Sequence, residues 1–265
     1  MKICMAGACG RMGRRILEMA AAAGDIEIGG AFDVPANAGT QLLVGSESGQ
    51  PQTLTVGGEA GPELAQSDIL IDFTLAGVCL ANVRNATEMG KASVIGTTGL
   101  SAVQVDELKA FAARVPIVYA PNMSVGVNLL FKLTSEVAAV LGLDYNVEIT
   151  EMHHNQKKDS PSGTAVRLGE RAAQALGLDY NRDVTHGREG LVGERPQRQI
   201  GMHALRGGDV VGEHTVAFVG QGERIELTHK AHNRDNFARG ALVAARFAAK
   251  APPGLYDMQD VLGLK

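Results

Sequence analysis

The first 120 residues alternate short apolar runs with helix-like stretches, and this alternation restricts the fold more than any other feature. The apolar runs, which predict buried strands, lie at 2–7, 26–33, 69–74, 92–98 and 116–122. Helical patterns lie between them, at 14–24, 75–90 and 101–114. Strands joined by helices form parallel sheets. We therefore predict an α/β fold in which residues 1–122 form a doubly wound parallel sheet.

The pattern changes after residue 122. A long helical pattern is followed by a strand and a second helix, at 125–143, 146–154 and 164–176. Three later runs resemble antiparallel strands, at 200–208, 210–220 and 223–232. We predict an α+β domain with a mostly antiparallel sheet over 123–232, and a final helix within 233–265 that packs back on the first domain.

One polar segment, rich in glycine and arginine, spans residues 181–199. Its length is unusual for a connection within a compact domain, and loops of this kind often serve as lids or binding elements. We predict a loop here, with the lid function left open.

The composition restricts the class of protein. A net charge of −4 gives no general attraction to nucleic acid or to an anionic membrane. The apolar runs are shorter than the roughly 18 residues that a membrane span needs. Three cysteines without a CxxC pair argue against a disulfide framework. We therefore expect a cytoplasmic protein, and we predict no metal site.

The turn after the first strand reads GACGRMG, over residues 7–13. Residues 8–13 match the dinucleotide pattern G-x-G-x-x-G except that Ala8 replaces the first glycine. Gly10 would let the backbone approach a pyrophosphate, and Gly13 would allow the helix to pack close to the strand. The amides of a helix start and its dipole favour phosphate. An ordinary strand–helix turn is the alternative. The cofactor-binding residues predicted here are Gly7, Ala8, Cys9, Gly10, Arg11 and Met12.

Asp33 stands at the end of the second predicted strand, twenty residues after Gly13. An acid at this place binds the ribose hydroxyls of NAD, and an arginine nearby would instead accommodate the extra phosphate of NADP. Val34 follows Asp33, so we predict NADH as the preferred cofactor, with NADPH possible. A simple turn residue is the alternative for Asp33.

Two further segments end parallel strands, at the sheet edge where such folds bind ligands. They are GTTG at 96–99 and APN at 120–122, and a plain turn is the alternative for each. The cofactor-binding residues predicted here are Gly96, Thr97, Thr98, Ala120, Pro121, Asn122 and Met123.

Residues 151–164, EMHHNQKKDSPSGT, gather histidines and lysines just before a helix start. Strand alternation places Glu151 and His153 on one face and His154 on the other. Ser162 is the best N-cap, and the amides of residues 163–164 could hold a carboxylate. The segment therefore favours an anionic substrate beside proton donors. A solvated basic loop is the alternative.

This segment carries a family resemblance. The pattern E-x-H-H-x-x-K-x-D-x-P-S-G-T, matched throughout, resembles the dihydrodipicolinate reductase family of the diaminopimelate and lysine pathway. Further segments that resemble this family are GRMG, DFT at 72–74, GTTG, 122–128, 206–215 and THKA at 228–231. The resemblance runs over essentially the full length.

The resemblance implies that NAD(P)H reduces a cyclic imine dicarboxylate with loss of water. It implies His153 and Lys157 as catalytic residues, and it implies a homotetramer. It also implies substrate binding by His154, Ser162, Gly163 and Thr164. Arg234 corresponds to a family arginine near the cofactor or between domains, and a surface ion pair is equally compatible with its position.

Two other functions are compatible with parts of the sequence. A different two-domain dehydrogenase, such as a relative of aspartate or homoserine dehydrogenase, is one. Aspartate-semialdehyde dehydrogenase needs a nucleophilic cysteine, and this chain has none after Cys79. Homoserine dehydrogenase would not require the histidine–lysine segment before the helix start. A dinucleotide-binding sensor is the other, and such a sensor has no use for His153 beside Lys157. Consumption of NADH with the proposed substrate separates these alternatives.

Overall fold

The structure is a computed structural model that describes residues 1–47 and 51–265. The chain forms two compact units, one of residues Met1–Val125 with Arg234–Lys265 and the other of residues Gly126–Asn233. The elements up to residue 122 are β1 (Lys2–Ala6), α1 (Arg11–Ala21), β2 (Glu27–Phe32), β3 (Gln41–Val44), β4 (Gln52–Thr55), α2 (Ala60–Ala65), β5 (Ile69–Asp72), α3 (Ala76–Glu88), β6 (Ala92–Ile95), α4 (Ala102–Ala112) and β7 (Pro116–Tyr119).

The remaining elements fall in both units. Those that begin before residue 234 are α5 (Val125–Leu141), β8 (Asn146–His153), α6 (Gly163–Leu176), α7 (Tyr180–Asp183), β9 (Val184–His186), β10 (Ile200–Arg206), β11 (Gly212–Val219) and β12 (Arg224–Ala231). The last three are α8 (Asp235–Ala248), β13 (Gly254–Tyr256) and α9 (Met258–Val261).

The first unit is built on a six-stranded sheet with the order β13-β7-β6-β5-β1-β2, in which all pairs are parallel. One face packs against α1 and α8 through side chains such as Leu17 and Leu242. The other face packs against α3 and α4 through Val83 and Leu108. Helices on both faces explain why the strands are apolar on both sides. The predicted doubly wound, Rossmann-type parallel sheet is confirmed.

Several short elements of this unit have no counterpart in the sequence-based prediction. β3 and β4 form a separate two-stranded sheet, and β13 adds an edge strand beside β7. Each has only three or four residues, which is too short for a clear periodicity. In addition, α1 ends at Ala21 with Ala22 as its C-cap, before the Gly24 that the sequence suggested as its end.

The second unit is a five-stranded sheet with the order β12-β11-β8-β10-β9 and with α5 and α6 contributing to its core. β11 pairs antiparallel with both β8 and β12. The prediction of an antiparallel strand at 200–208 is wrong, because β10 runs parallel to β8 and β9. The crossover through α6 and α7 returns the chain to start β9, and the 187–199 segment returns it again to start β10, so that β8, β9 and β10 all run in the same direction. The sheet is therefore mixed rather than mostly antiparallel.

One helical stretch, Val125–Asp144, is long and apolar enough to cross a membrane by length and composition. The sequence-based statement that no stretch approaches that length is therefore wrong for this segment. Its side chains Leu130 and Phe131 are buried in the core of the second unit. The same helix carries an ion pair between Lys132 and Glu136, and charges of this kind are costly inside a bilayer. We assign the helix to the core of its unit.

The predicted loop at 181–199 contains the last turn of α7 and the strand β9. The segment that follows β9, at 187–199, is bound by the carboxylate of Glu148, which projects from β8. Arg188 and Arg195 both donate to this carboxylate, at distances of 2.8–3.0 Å. Burial would raise the pKa of Glu148, but these hydrogen bonds and one from His203 lower it to about 2.

Candidate active site and cofactor pocket

The glycine turn between β1 and α1 is tightly closed. Gly7 has a φ of +81°, and a Cβ there would lie 2.6 Å from the carbonyl oxygen of Phe73. A Cβ at Gly13 would lie 2.1 Å from the carbonyl oxygen of Gly7. Since no side chain can occupy such space, both positions require glycine and allow α1 to start directly against the strand end.

The start of α1 offers backbone donors. The N–H of Gly10 is used within the turn, where it donates to the Gly7 carbonyl at 3.1 Å, and the N–H of Ala8 donates to Phe32. Within the described residues, the N–H groups of Arg11 and Met12 have no hydrogen-bond acceptor. Free amides at a helix start bind phosphate. The turn therefore fits a pyrophosphate group.

Asp33 follows β2 directly and is fixed by three hydrogen bonds. Its Oδ2 accepts from the N–H of Cys9 at 2.8 Å, which joins it to the glycine turn. Its Oδ1 accepts from the N–H of Val34 at 2.8 Å and from the side-chain amide of Asn37 at 2.9 Å. Val34 itself is 54% exposed. A carboxylate with a fixed orientation thus stands beside the turn, where the hydroxyls of a ribose can donate to its remaining lone pairs.

A cavity of about 530 Å³ lies against the turn and Asp33. This volume falls in the range of small-molecule and cofactor sites. Among the predicted cofactor residues, Gly7, Cys9, Gly10 and Asp33 line it. Sequence reasoning missed the rest of the lining, which includes Asn37, Phe73, Thr74, Leu75, Val78 and Asn82. Most of these follow β5, and only the pairing of β5 beside β1 brings them to the cavity.

The segment after β6 is partly occupied by internal contacts. Thr97 is buried, and its hydroxyl donates to the buried carboxylate of Asp72 at 2.7 Å. A Cβ at Gly96 would lie 2.2 Å from the ring of Phe73, so that the glycine makes room for this ring. Thr98 is exposed. Of these predicted residues, Thr98 has an exposed side chain that a ligand can contact, whereas the side chain of Thr97 is hydrogen-bonded to Asp72.

The segment after β7 offers backbone more than side chains. Ala120 and Met123 are buried in the core of the first unit. The side-chain oxygen of Asn122 accepts from the N–H of Ser124 at 2.9 Å, and Pro121 is exposed. Among the remaining predicted residues, Ala8 is buried, Met12 packs against the core, and Arg11 lines a separate cavity beside α1. None of these residues lines the cavity beside Asp33.

In the second unit, β8 has the predicted alternation of faces. Val147, Ile149 and Glu151 are buried, and His153 continues the same face. Glu148 projects to the other side, where the arginines of the 187–199 segment bind it. Strand geometry therefore brings Glu151 and His153 together, two residues apart.

Glu151 is completely buried and accepts four hydrogen bonds. His153 Nδ1 lies 2.6 Å from Oε2, and the N–H of Ser162 donates to Oε1 at 2.9 Å. Arg206 donates one bond to each oxygen, at 2.7 and 2.9 Å. Burial would raise the pKa of Glu151, but the bonds from Arg206, His153 and Ser162 outweigh it and hold the pKa below its usual value. Glu151 is therefore ionised at neutral pH.

His153 has one fixed and one available nitrogen. Its side chain is 12% exposed, and Nε2 has no hydrogen-bond partner within the described residues. Burial lowers the pKa of the imidazole, and the charges of Lys157 and Arg206 add to this effect, while Glu151 opposes it. The result is a pKa below the ordinary value, so that neutral imidazole predominates at pH 7.

Lys157 lies in the loop after β8 and is held in place. Its Nζ donates to both carboxylate oxygens of Asp159 at 2.8 Å. Arg206 also reaches this loop, where it donates to the carbonyl of Asp159 at 2.8 Å. His154 is partly buried and has no hydrogen-bond partner for its ring within the described residues. One arginine thus connects the loop of Lys157 to the carboxylate that binds His153.

The start of α6 matches the predicted cap. Ser162 Oγ accepts from the N–H of Ala165 at 3.2 Å and lies 2.9 Å from Nε2 of the buried His214. Burial lowers the pKa of His214 to about 3, so that it is neutral. Gly163 is exposed, and its N–H has no acceptor within the described residues. The helix start, which continues with Thr164, fits a carboxylate group.

Three residues of this site were missed by sequence reasoning. Glu151 shares a face with His153, and strand alternation was a sufficient signal to include it. Arg206 pairs with His153 across β10 and β8, and His214 pairs with Glu151 across β11 and β8. Segment 206–215 carries a family-like pattern, but only the strand register shows where these two side chains lie.

Both units match known protein families. Residues 1–123 match the family model for the N-terminus of dihydrodipicolinate reductase, and residues 126–262 match the model for its C-terminus. The chain belongs to the dihydrodipicolinate reductase family. A reductase with a Rossmann-type domain uses a nicotinamide cofactor, and the glycine turn, the free amides and the cavity described above fit one.

Relatives in the dihydrodipicolinate reductase family match over nearly the whole chain. A 4-hydroxy-tetrahydrodipicolinate reductase of Anaeromyxobacter sp. (strain Fw109-5) is 50% identical, covering 99% of this chain and 98% of the relative. That of Syntrophobacter fumaroxidans is 46% identical, covering 98% of both. A dipicolinate-bound dihydrodipicolinate reductase from Paenisporosarcina sp. TG-14 has the same fold, with a TM-score of 0.78, 22% identity and 98% coverage of both chains.

Proposed function

We propose that this chain catalyses the NAD(P)H-dependent reduction of 4-hydroxy-tetrahydrodipicolinate to tetrahydrodipicolinate, with loss of water, in diaminopimelate and lysine biosynthesis. The observation that carries the proposal is the joint position of His153, Lys157 and the start of α6 around the ionised Glu151. Relatives about half identical over the full length are named for this activity.

The proposed chemistry needs a proton donor. Loss of the 4-hydroxyl group together with a proton from the adjacent carbon releases water and leaves a conjugated imine, to which the nicotinamide, when bound, would supply a hydride. His153, in the imidazolium form that is the minor species at pH 7, delivers a proton from Nε2 to the charge that the hydride leaves on the substrate, and Lys157 is the alternative proton donor or holds a negative group of the substrate. A positioned acid of this kind contributes about 10²–10⁴-fold to the rate.

Substrate binding follows from the charges of the site. The substrate is a dicarboxylate, and the N–H groups of Gly163 and Thr164 at the start of α6 suit one carboxylate. Ser162 orients this start, and His154 and Lys157 add donors beside it. We propose these residues as the substrate site, with the second unit as the substrate domain.

We propose the first unit as the dinucleotide domain. The turn of residues 7–12 binds the pyrophosphate, with the N–H groups of Arg11 and Met12 as donors, and Asp33 binds the adenosine ribose. The cofactor residues after β6 and β7, which include Thr98 and Asn122, bind through backbone groups and the Thr98 side chain. Because the exposed Val34 supplies no positive charge for an extra phosphate, NADH is the preferred cofactor and NADPH is possible.

We also propose a cytoplasmic homotetramer. The face of the second sheet opposite α5 and α6 presents Thr150, Met152 and Thr215, and a hydrogen-bonded pair links Thr215 to Thr228 at 3.0 Å. Light scattering during size-exclusion chromatography tests the assembly. A stable monomer at micromolar concentration contradicts it.

An absorbance assay of NADH loss with freshly generated 4-hydroxy-tetrahydrodipicolinate tests the activity. The expected result is turnover that depends on both substrates and that His153→Gln abolishes almost completely. NADH binding without turnover would support the dinucleotide-binding sensor instead.

A further inference from the structure

We propose that Glu151 is the positioning residue for His153. It holds the imidazole with its proton on Nδ1, so that Nε2 is the nitrogen that exchanges protons, and it joins this ring to the start of α6. This inference rests on the proposed role of His153.

The hydrogen bond to Glu151 fixes the tautomer of His153. Glu151 is ionised, because two bonds from Arg206 and one from the N–H of Ser162 stabilise its charge. An ionised carboxylate only accepts hydrogen bonds. Since His153 Nδ1 lies 2.6 Å from Oε2, this nitrogen must donate. In the neutral ring, the lone pair is therefore on Nε2, which has no partner within the described residues.

Glu151 also connects His153 to the proposed substrate site. One oxygen of Glu151 binds His153, and the other binds the backbone of Ser162, which caps α6. A shift of this carboxylate moves both the ring and the amides of Gly163 and Thr164. Glu151 thereby sets the distance between the proton donor and the proposed carboxylate-binding amides.

Glu151 also affects the protonation of the His153 ring. In the part of the chain that the structure describes, the titratable groups that face His153 are Glu151 on its own strand, Lys157 in the loop, Arg206 on β10 and His214 on β11. Lys157 and Arg206 disfavour the imidazolium, and His214 is neutral. Glu151 is the member of this set whose charge favours the imidazolium. Removal of that charge must therefore move protonation of His153 to lower pH.

Glu148 provides a matched comparison on the same strand. Like Glu151 it binds arginine and histidine side chains, here Arg188, Arg195 and His203, but it projects to the opposite face of the sheet. Glu148→Gln and Glu151→Gln remove the same charge from the same strand, at carboxylates that both bind arginine and histidine. A general loss of strand stability would affect both variants, whereas loss of His153 positioning affects one.

The kinetic test is the pH dependence of kcat in these two variants. In Glu151→Gln, kcat should fall about 100-fold, which is part of the contribution of a general acid. Its decline with rising pH should also begin at lower pH than in the unaltered enzyme. Glu151→Asp keeps the charge and should recover part of kcat and the original pH position. Unchanged kcat in Glu151→Gln, or an equal loss in Glu148→Gln, overturns the proposal.

Nitrogen-15 NMR of the histidine rings tests the tautomer in the unaltered protein, and His153→Gln assigns the signal. The expected neutral ring carries its proton on Nδ1, and a proton on Nε2 overturns the inference. This readout needs no turnover. If His153→Gln retains activity, the proposed function of His153 fails, while the NMR result still decides the positioning by Glu151.

Discussion

Lys157 Nζ lies 2.8 Å from each carboxylate oxygen of Asp159, so that the amine and the carboxylate form a closed pair. The lysine side chain is 19% exposed, whereas the aspartate is largely exposed. The hydrogen bond from Lys157 lowers the pKa of Asp159. The pair keeps a positive charge at a fixed place in a loop that has no regular structure. A substrate carboxylate could exchange with Asp159 at this amine.

Removal of the amine should harm both binding and turnover. We expect Lys157→Ala to raise the KM for the substrate and to lower kcat, each by about tenfold or more, because a charge-assisted bond contributes roughly 1.5–3 kcal/mol. Lys158→Ala is the matched control, since this neighbour is exposed and makes no ion pair within the described residues. Steady-state kinetics provides the measurement. Equal effects of the two substitutions contradict the assignment.

Loss of the imidazole should act on turnover rather than on cofactor binding. We expect His153→Gln to lower kcat by about 10²–10³-fold, because a general acid is lost. The dissociation constant of NADH should stay within a factor of two or so, since the glycine turn and Asp33 belong to the other unit. Fluorescence titration with NADH checks this. His186→Gln, at an exposed histidine of β9, should leave both quantities unchanged.

Gly212 limits the space around the reactive nitrogen. A Cβ at this position would lie 3.0 Å from His153 Nε2, which is closer than the ring can accept without moving. We expect Gly212→Ala to lower kcat about tenfold or more while the protein stays folded. Gly207→Ala is the control, because a Cβ there meets no atom within 4 Å. Wild-type kcat in Gly212→Ala, at an unchanged Tm, would show that Nε2 is not used.

Cofactor preference should respond to the residue after Asp33. We expect Val34→Arg to lower the KM for NADPH about tenfold, because a guanidinium beside the ribose position binds the extra phosphate. The KM for NADH should change little, since Asp33 keeps its bonds to Cys9 and Asn37. Val103→Arg places the same charge at an exposed site on α4 and serves as the control. An unchanged NADPH KM in Val34→Arg contradicts the proposed ribose site.

The ion pairs of Glu148 with Arg188 and Arg195, which hold the 187–199 segment, should be sensitive to acid. The pKa of Glu148 is lowered from 4.5 to about 2, so its stabilisation is fully present above pH 4.5 and is lost as the pH falls toward 2. We expect Glu148→Gln to lower the Tm at pH 6 by several degrees, from a loss of up to about 3 kcal/mol. The difference from the unaltered protein should shrink steadily between pH 4.5 and 2. A constant difference over this range contradicts the assigned pKa.

Local patterns in the chain were sufficient to predict much of the scaffold. The parallel sheet follows from strand–helix alternation, and the capping of α6 by Ser162 follows from a side chain that satisfies amides three residues away. The alternation that places Glu151 beside His153 is equally local. The direction of β10 was not predictable in this way, because a strand has the same periodicity whether its neighbour is parallel or antiparallel.

Local sequence was sufficient to predict the glycine turn, the strand that carries His153 and the helix start that follows it, since each depends on residues within a few positions of one another. The fold is what brings Arg206, 55 residues away from Glu151, to pair with that carboxylate, and what brings His214 to Ser162. These contacts depend on strand order and register, which are fixed by packing of the whole sheet. For that reason the donors and their spacing could be predicted from the chain, whereas the charges that control them could not.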